Sequence, residues 1–136
     1  MPHRHFPFVV LEIEAEDPQR AASFYSAIFG WTFTDSVMER GARDADLGGD
    51  HDTTVRVHLR TRHRLPGPAA SDGPAAHRHE HSLCVHDLAP ILAGVIAAGG
   101  QLIAGPVHVP GLGRRLYLRD TEGNDLAILE PAHESR

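Results

Sequence analysis

Cysteine is nearly missing from this sequence. The single Cys84 excludes an internal disulfide and fits a reducing compartment. Long apolar runs are missing as well. None approaches the ~20 residues that a membrane-spanning helix needs, and the opening MPHRHFPF lacks the apolar core of a signal peptide. Positive charge is in deficit: Lys and Arg total 13 against 18 Asp and Glu, a net charge of −5 with His neutral. That argues against a general nucleic-acid binder, whose affinity rests on neutralising phosphates. Gly48-Gly49 and Gly111–Gly113 lack the spacing of a phosphate loop, and no nucleophile elbow supports a Ser-His-Asp site. These absences leave a cytoplasmic protein, one domain by length, whose 41% apolar content suits a globular core. Neither a nucleic acid nor a membrane is an expected partner.

The chain is organised around Glu12–Phe33, EIEAEDPQRAASFYSAIFGWTF. Val9, Leu11 and Ile13 alternate with Val10, Glu12 and Glu14, the period of a half-buried strand. Asp17 stands where an N-cap accepts from the free N–H groups of a first turn, and Pro18 is preorganised for the first helical position. Ala21, Ala22, Phe24, Tyr25, Ile28 and Phe29 form an apolar stripe at helical spacing. Gly30 fits the left-handed position just past the helix. Trp31 and Phe33 resume alternation. A shift of 70 residues repeats this: Asp17 falls on Asp87, Gly30 on Gly100, Ile13 on Leu83, Tyr25 on Val95 and Phe33 on Ile103. Punctuation and apolar pattern agree together, which marks a duplicated unit.

In order, the pattern predicts strands near Phe8–Glu14, Trp31–Met38 and Thr54–Thr61, with a helix near Pro18–Phe29. The polar, Gly-rich Glu39–Asp52 reads as a loop with room for a short third strand. Arg62–Ala76, rich in Pro, Gly, Ala and Ser, reads as a linker. The second copy has a strand near His79–His86 and a helix near Leu88–Ala98, stopped by Gly99-Gly100. A strand over Gln101–Val109 is broken at Gly105-Pro106. Strands at Arg115–Arg119 and Asp125–Glu130 flank a turn at Thr121–Asn124, where Gly123 and Asn124 supply positive φ. One domain, 1–136, therefore holds a first module at 7–61, a linker at 62–78 and a second module at 79–131.

Each strand has one face on a helix and one elsewhere. Val9, Leu11 and Ile13 belong on the first helix; Leu83, Val85, Leu126 and Ile128 belong on the second. The other face collects Phe8, Val10, Glu12, Arg56, His58 and Arg60, then Glu80, Ser82, Cys84, Tyr117, Arg119, Ala127 and Leu129. A mixed apolar and charged lining suits a cleft for a small molecule. His58 is its candidate general base or ligand, with a carboxylate to orient it. Glu12 and Glu80 are alternatively structural partners of Arg56, Arg60 or Arg119. Cys84 reads as buried and inert. His77, His79 and His81 read as the end of a solvated loop.

Three segments, EIEAEDPQRAASFYSAIFGW, VHDLAPILAGVIAAGG and GLGRRLYLRDTEGNDLAILE, resemble the vicinal oxygen chelate superfamily of glyoxalases, bleomycin-resistance proteins and extradiol dioxygenases. Thr121 stands where that family usually has Pro. The resemblance implies an α+β fold of two βαβββ modules in tandem, forming a curved mixed sheet around one cleft with the helices on the outer face. It also implies a homodimer. Its metal-dependent members take one ligand from the first and one from the fourth strand of each module. Those positions fall on Val10, His58, Glu80 and Ala127, and Val10 and Ala127 have no donor atom. The set is incomplete, since open catalytic sites typically use three protein ligands.

The expected function is therefore binding of a small organic molecule in the cleft between the two modules, with no cofactor. Its expected ligand-binding residues are Phe8, Val10, Glu12, Arg56, His58, Glu80, Ser82, Tyr117, Arg119 and Ala127. The alternative is a lyase or isomerase of the same superfamily. It would use a divalent metal on His58 and Glu80, or acid–base chemistry by His58 with Glu12 or Glu80.

Overall fold

The computed structural model describes residues 8–37, 39–47, 54–61 and 82–132; of Phe8 and Thr54 it describes the backbone alone. The first module runs β1 (Phe8–Ala15), α1 (Pro18–Phe29), β2 (Thr34–Asp35), β3 (Arg43–Leu47) and β4 (Thr54–Thr61). The second runs β5 (Ser82–Cys84), α2 (Ala89–Gly94), β6 (Gln101–Val109), β7 (Gly113–Arg119) and β8 (Asp125–Pro131). Each module forms a four-stranded sheet, ordered β1-β4-β3-β2 and β5-β8-β7-β6. In both, the first strand lies parallel to the last and the remaining pairs are antiparallel. The repeat in the sequence is thus a repeat of topology, and the fold is α+β with tandem βαβββ modules. The linker 62–78 and His79–His81 lie outside the described residues.

The first helix forms where its punctuation places it. Asp17 Oδ1 accepts from the N–H groups of Gln19 and Arg20 at 3.1 and 3.2 Å, satisfying donors that have no partner inside the helix. Gly30 closes the other end at φ 73°, with its N–H on Ser26 O. Between them Ala21, Ala22, Phe24, Tyr25 and Ile28 are buried.

The second helix is shorter than expected, Ala89–Gly94 rather than Leu88–Ala98. Two causes act together. Gly94 weakens the helix by about 1 kcal/mol relative to Ala, and little beyond Ile91 and Val95 is available to bury. The chain continues as a looser turn, in which Gly99 N–H reaches Ile96 O and Gly100 N–H reaches Val95 O. Gly99, not Gly100, takes the left-handed position, at φ 98°. Gly100 is needed for closeness instead: a Cβ there would lie 2.5 Å from the Phe24 ring and 2.7 Å from Arg119 O.

Other boundaries shift for similar local reasons. The strand expected over Trp31–Met38 pairs only at Thr34–Asp35, against Asp44 and Arg43. Trp31 and Phe33 turn instead into an aromatic cluster with Tyr25 and Phe29, Trp31 stacking on Phe29 at 4.6 Å. Met38 lies outside the described residues. Arg43–Leu47 supplies the short third strand. β6 is one continuous strand, and its register slips between Ala104 and Val107, where the break at Gly105-Pro106 is expected, as well as between Leu102 and Ala104. In the turn after β7, Gly123 has positive φ and Asn124 does not.

One core serves both modules. Ile13, Val57 and Leu59 of the first sheet, Leu116, Leu118 and Ile128 of the second, Phe24, Tyr25, Ile28 and Ile91 of the helices, and Val95 just past α2 belong to one buried cluster. Each large side chain in it contributes about 1.5–3 kcal/mol by leaving water. Val9, expected on α1, is half exposed at the start of β1. The helix-covered faces share this core, so the opposite faces, carrying Glu12 and His58 or Tyr117 and Arg119, point away from it.

A polar seam joins the modules beside that core. Tyr25 Oη donates to Asp120 Oδ2 at 2.6 Å, and Asp120 also accepts from the N–H groups of Glu122 and Asn124. Asn124 Nδ2 donates to Glu14 O at 2.7 Å. Glu122 accepts from Asp17 N–H and from the Arg20 guanidinium, closing on the start of α1. A turn in the second module therefore clamps the first module's helix.

Candidate functional site

Pairing register aligns, residue by residue, the two faces turned away from the helices. The row through His58 reads Glu12, His58, Asp44, Thr34 across β1, β4, β3 and β2. The row through Ala127 reads Ser82, Ala127, Tyr117, Ala104 across β5, β8, β7 and β6. Glu12 and Ser82 stand 70 residues apart, so His58 and Ala127 are structural counterparts. One row is charged; the other carries a hydroxyl, two methyls and a phenol.

His58 is buried, with 6% of its surface exposed. Its Nδ1 lies 2.5 Å from Asp44 Oδ1 and its Nε2 lies 3.0 Å from Glu39 Oε2. Asp44 Oδ2 accepts from Ser36 Oγ at 2.9 Å, and Glu39 Oε1 accepts from Thr61 Oγ1 at 2.7 Å. Burial pushes the His58 pKa down, but the hydrogen bonds and charges of Asp44 and Glu39 outweigh it, and the net shift is upward.

A pocket of about 350 Å³ opens beside this cluster, lined by Thr32, Thr34, Asp35, Val37, Asp44, Asp46 and Arg56. Arg56 Nε donates to Asp46 Oδ1 at 2.7 Å, which lowers the Asp46 pKa and raises that of Arg56. Asp35 pairs with Arg43 at 3.3 Å. The threonine hydroxyls, the Val37 methyls and these paired charges form a wall that offers donors, acceptors and a little apolar surface, the mixture that orients small ligands.

Of the expected site residues, Arg56 lines this pocket and His58 lies behind it, bonded to Asp44. Val10 is half-buried opposite Arg56 and has no donor. Glu12 is exposed beside His58 in the sheet, and its nearest ion pair is a loose one with Arg60 at 3.9 Å. The structure gathers Ser82, Ala127 and Tyr117 on the second sheet rather than beside His58. Arg119 pairs there with Asp125 at 2.7 Å. The side chain of Phe8 and all of Glu80, His77, His79 and His81 lie outside the described residues. Cys84, expected buried, is exposed, because β5 is a three-residue edge strand and Cys84 ends it.

Sequence reasoning missed Glu39, Asp44, Asp46, Thr32 and Thr34. Asp44 and Asp46 carried a signal. In Arg43–Leu47, Ala45 and Leu47 alternate with them, so the apolar pair takes the core and the acids take the pocket side. Glu39 had none, since only the fold of its turn brings it to His58.

The donor set does not suit the metal that the resemblance implies. Val10 and Ala127 offer no lone pair, and both nitrogens of His58 already face carboxylates. Among the described residues, no group of three or more His, Cys, Asp or Glu side chains is arranged to hold a metal ion.

Duplicated βαβββ modules, the first with a pocket on the face turned from its helix, define a class of protein that comparison with known families makes specific. Residues 8–128 match the model of the Glyoxalase/Bleomycin resistance protein/Dioxygenase superfamily, and the chain belongs to that family. It is 30% identical over 129 residues to proteins named "Putative glyoxylase CFP32" from Mycobacterium bovis and Mycobacterium tuberculosis. That alignment covers 89% of this chain but 42% of theirs, so the chain spans less than half the length of these relatives. Among solved structures, TnmS3, an antibiotic binding protein from a Streptomyces species, superposes with a TM-score of 0.58 at 21% identity, covering 97% of this chain and 99% of that one. A hypothetical protein from S. aureus, SA1046, gives 0.59 at 18% identity, with coverage of 93% and 96%. At such identities these structures speak to the fold alone.

Proposed function

We propose that this protein binds a small organic molecule on the polar face of its first module, in the pocket between Thr32, Thr34, Asp44, Asp46 and Arg56. The observation that carries this reading is the pocket itself, about 350 Å³ with a wall of hydroxyls and paired charges. The family, which includes bleomycin-resistance proteins, and the antibiotic-binding neighbour of the same fold support it. No cofactor is part of the reading. The polar faces of the two modules point away from one shared core, and a homodimer would let the first-module face of one copy meet the second-module face of another. Cys84 as the single cysteine fits a cytoplasmic site.

A thermal-shift screen with a panel of small organic molecules, antibiotics included, tests the binding. Hits should raise the melting temperature of the parent, since binding to the folded state stabilises it by mass action. The same hits should do so less in Thr34→Ala and Arg56→Ala. Hits that stabilise both variants as strongly as the parent would place the ligand elsewhere. Sedimentation analysis tests the dimer: a monomer at all concentrations studied would remove it from the reading.

A further inference from the structure

His58 stands where the resemblance places a metal ligand, yet its surroundings are those of a cation rather than of a cation's ligand. A neutral imidazole has one N–H and one lone pair, so it donates to only one neighbour. Here Nδ1 faces Asp44 and Nε2 faces Glu39. If the ring were neutral and both acids ionised, one lone pair would point at a carboxylate oxygen in a buried site. We propose that His58 is a standing imidazolium, an internal cation that ties Asp44 on β3 and Glu39 on the β2–β3 turn to β4 and so fixes one wall of the pocket.

Neighbouring charges agree with that assignment. On β4, Arg56 pairs with Asp46 of β3, and Arg60 pairs with Glu14 of β1 at 2.6 Å and loosely with Glu12 at 3.9 Å. Both arginines beside His58 thus have acidic partners of their own, and Arg56 feels the charge of Asp44 as well, while the ring nitrogens of His58 face Asp44 and Glu39 directly. Glu12, opposite His58 in the sheet, adds a further negative charge nearby. Low solvent access strengthens the attractions of Asp44 and Glu39 for the ring.

The tie has a mechanical consequence. Glu39 lies in the turn Ser36–Ala42, closed by Ser36 N–H to Ala42 O at 3.0 Å and Ala42 N–H to Glu39 O at 3.2 Å. Val37, in the same turn, lines the pocket and is otherwise 93% exposed. His58, Thr61 and the Ser36–Asp44 bond hold this turn to the sheet. His58 is therefore a positioning residue for the pocket wall. Its charge stands apart from the ligand reading; only its effect on binding rests on that reading.

Long-range proton–nitrogen NMR of the histidine rings tests the charge on the full chain, the His58 signal being assigned by its loss in His58→Gln. Near neutral pH both ring nitrogens should be protonated, and the midpoint should lie above the ordinary value of about 6.5. Glu39→Gln, nearly the same shape without the charge, should lower that midpoint. Equimolar Zn2+ should leave the ring unmoved at neutral pH. Amides of Ser36–Ala42 should exchange faster above the midpoint than below it. A neutral ring near pH 7, as a protonated Asp44 would allow, overturns the proposal. So does an unchanged midpoint in Glu39→Gln, a His58 ring shifted by equimolar Zn2+, or turn exchange indifferent to the midpoint. None of these readings needs a ligand, so a failed ligand screen leaves the test intact. If His58→Gln fails to fold, through-bond correlation of the ring to the His58 backbone amide assigns the signal in the parent, whose spectrum then decides the charge.

Discussion

The two modules share a fold and differ in what the faces turned from their helices hold. Counterpart for counterpart, Glu12, His58, Asp44 and Thr34 in the first stand against Ser82, Ala127, Tyr117 and Ala104 in the second. The helix-covered faces show no such divergence: Ile13, Val57 and Leu59 face one common core with Leu116, Leu118 and Ile128. Constraint lies on the side that faces the core. The buried side must fill one volume jointly and stays apolar in both halves. The open side is free to specialise, and charged chemistry has gathered in the first module.

The sharpest way to break this comparison is in the shared core. Leu59→Ala and Leu118→Ala each remove a fully buried side chain and should each cost about 2–5 kcal/mol. Urea denaturation should show a single transition in both variants. Two separate transitions would mean that the modules have cores of their own. Next comes the seam. Asp120→Ala strips the acceptor from Tyr25 Oη and from two backbone N–H groups and should cost about 3 kcal/mol. A loss below about 1 kcal/mol in the same assay would show that the clamp adds little.

On the faces turned from the helices the expected effects shrink and become unequal. His58→Gln removes the charge between two carboxylates and should destabilise the protein by about 1–3 kcal/mol at neutral pH. Tyr117→Phe, at the counterpart of Asp44, should cost less than about 0.5 kcal/mol. Equal losses from the two would erase the asymmetry.

Acid and alkali act on different halves. Burial acts to raise the Glu122 pKa, but hydrogen bonds from Arg20, Asp17 N–H and Thr121, with the charge of Arg20, hold it down at about 2. Its contribution is present above the unfolded value and is lost as pH falls from about 4.5 toward about 2. The His58 shift is upward, so its contribution is complete below about 6.5 and is lost as pH rises through the folded-state value. Melting temperature against pH should decline at both ends, and His58→Gln should flatten the alkaline side alone. The smallest effect belongs to Arg43→Ala, which breaks an exposed pair with Asp35 and should change stability by less than about 0.5 kcal/mol.

Much of the fold was legible because its signals are local. Asp17, Pro18 and Gly30 mark α1, and alternation in Thr54–Thr61 marks β4 to the residue. The second helix was overread because its apolar pattern continues past Gly94 while its capacity to bury side chains does not. The site was less legible. His58 and Arg56 were visible through strand parity, but Glu39 reaches His58 only through a turn. In the sequence the turn at Asp120–Asn124 is punctuation; its carboxylates clamp a helix about a hundred residues earlier in the chain, and nothing in its neighbours announces that.

Mapping of amide chemical shifts during titration with the thermal-shift hits tests the central claim, that binding chemistry sits on the first module's open face. Movement is expected at Thr32, Thr34, Asp44, Asp46 and Arg56, with Ser82, Tyr117 and Ala127 moving only where a second copy completes the site. Hits that move the second-module row and leave the first-module residues still would contradict it.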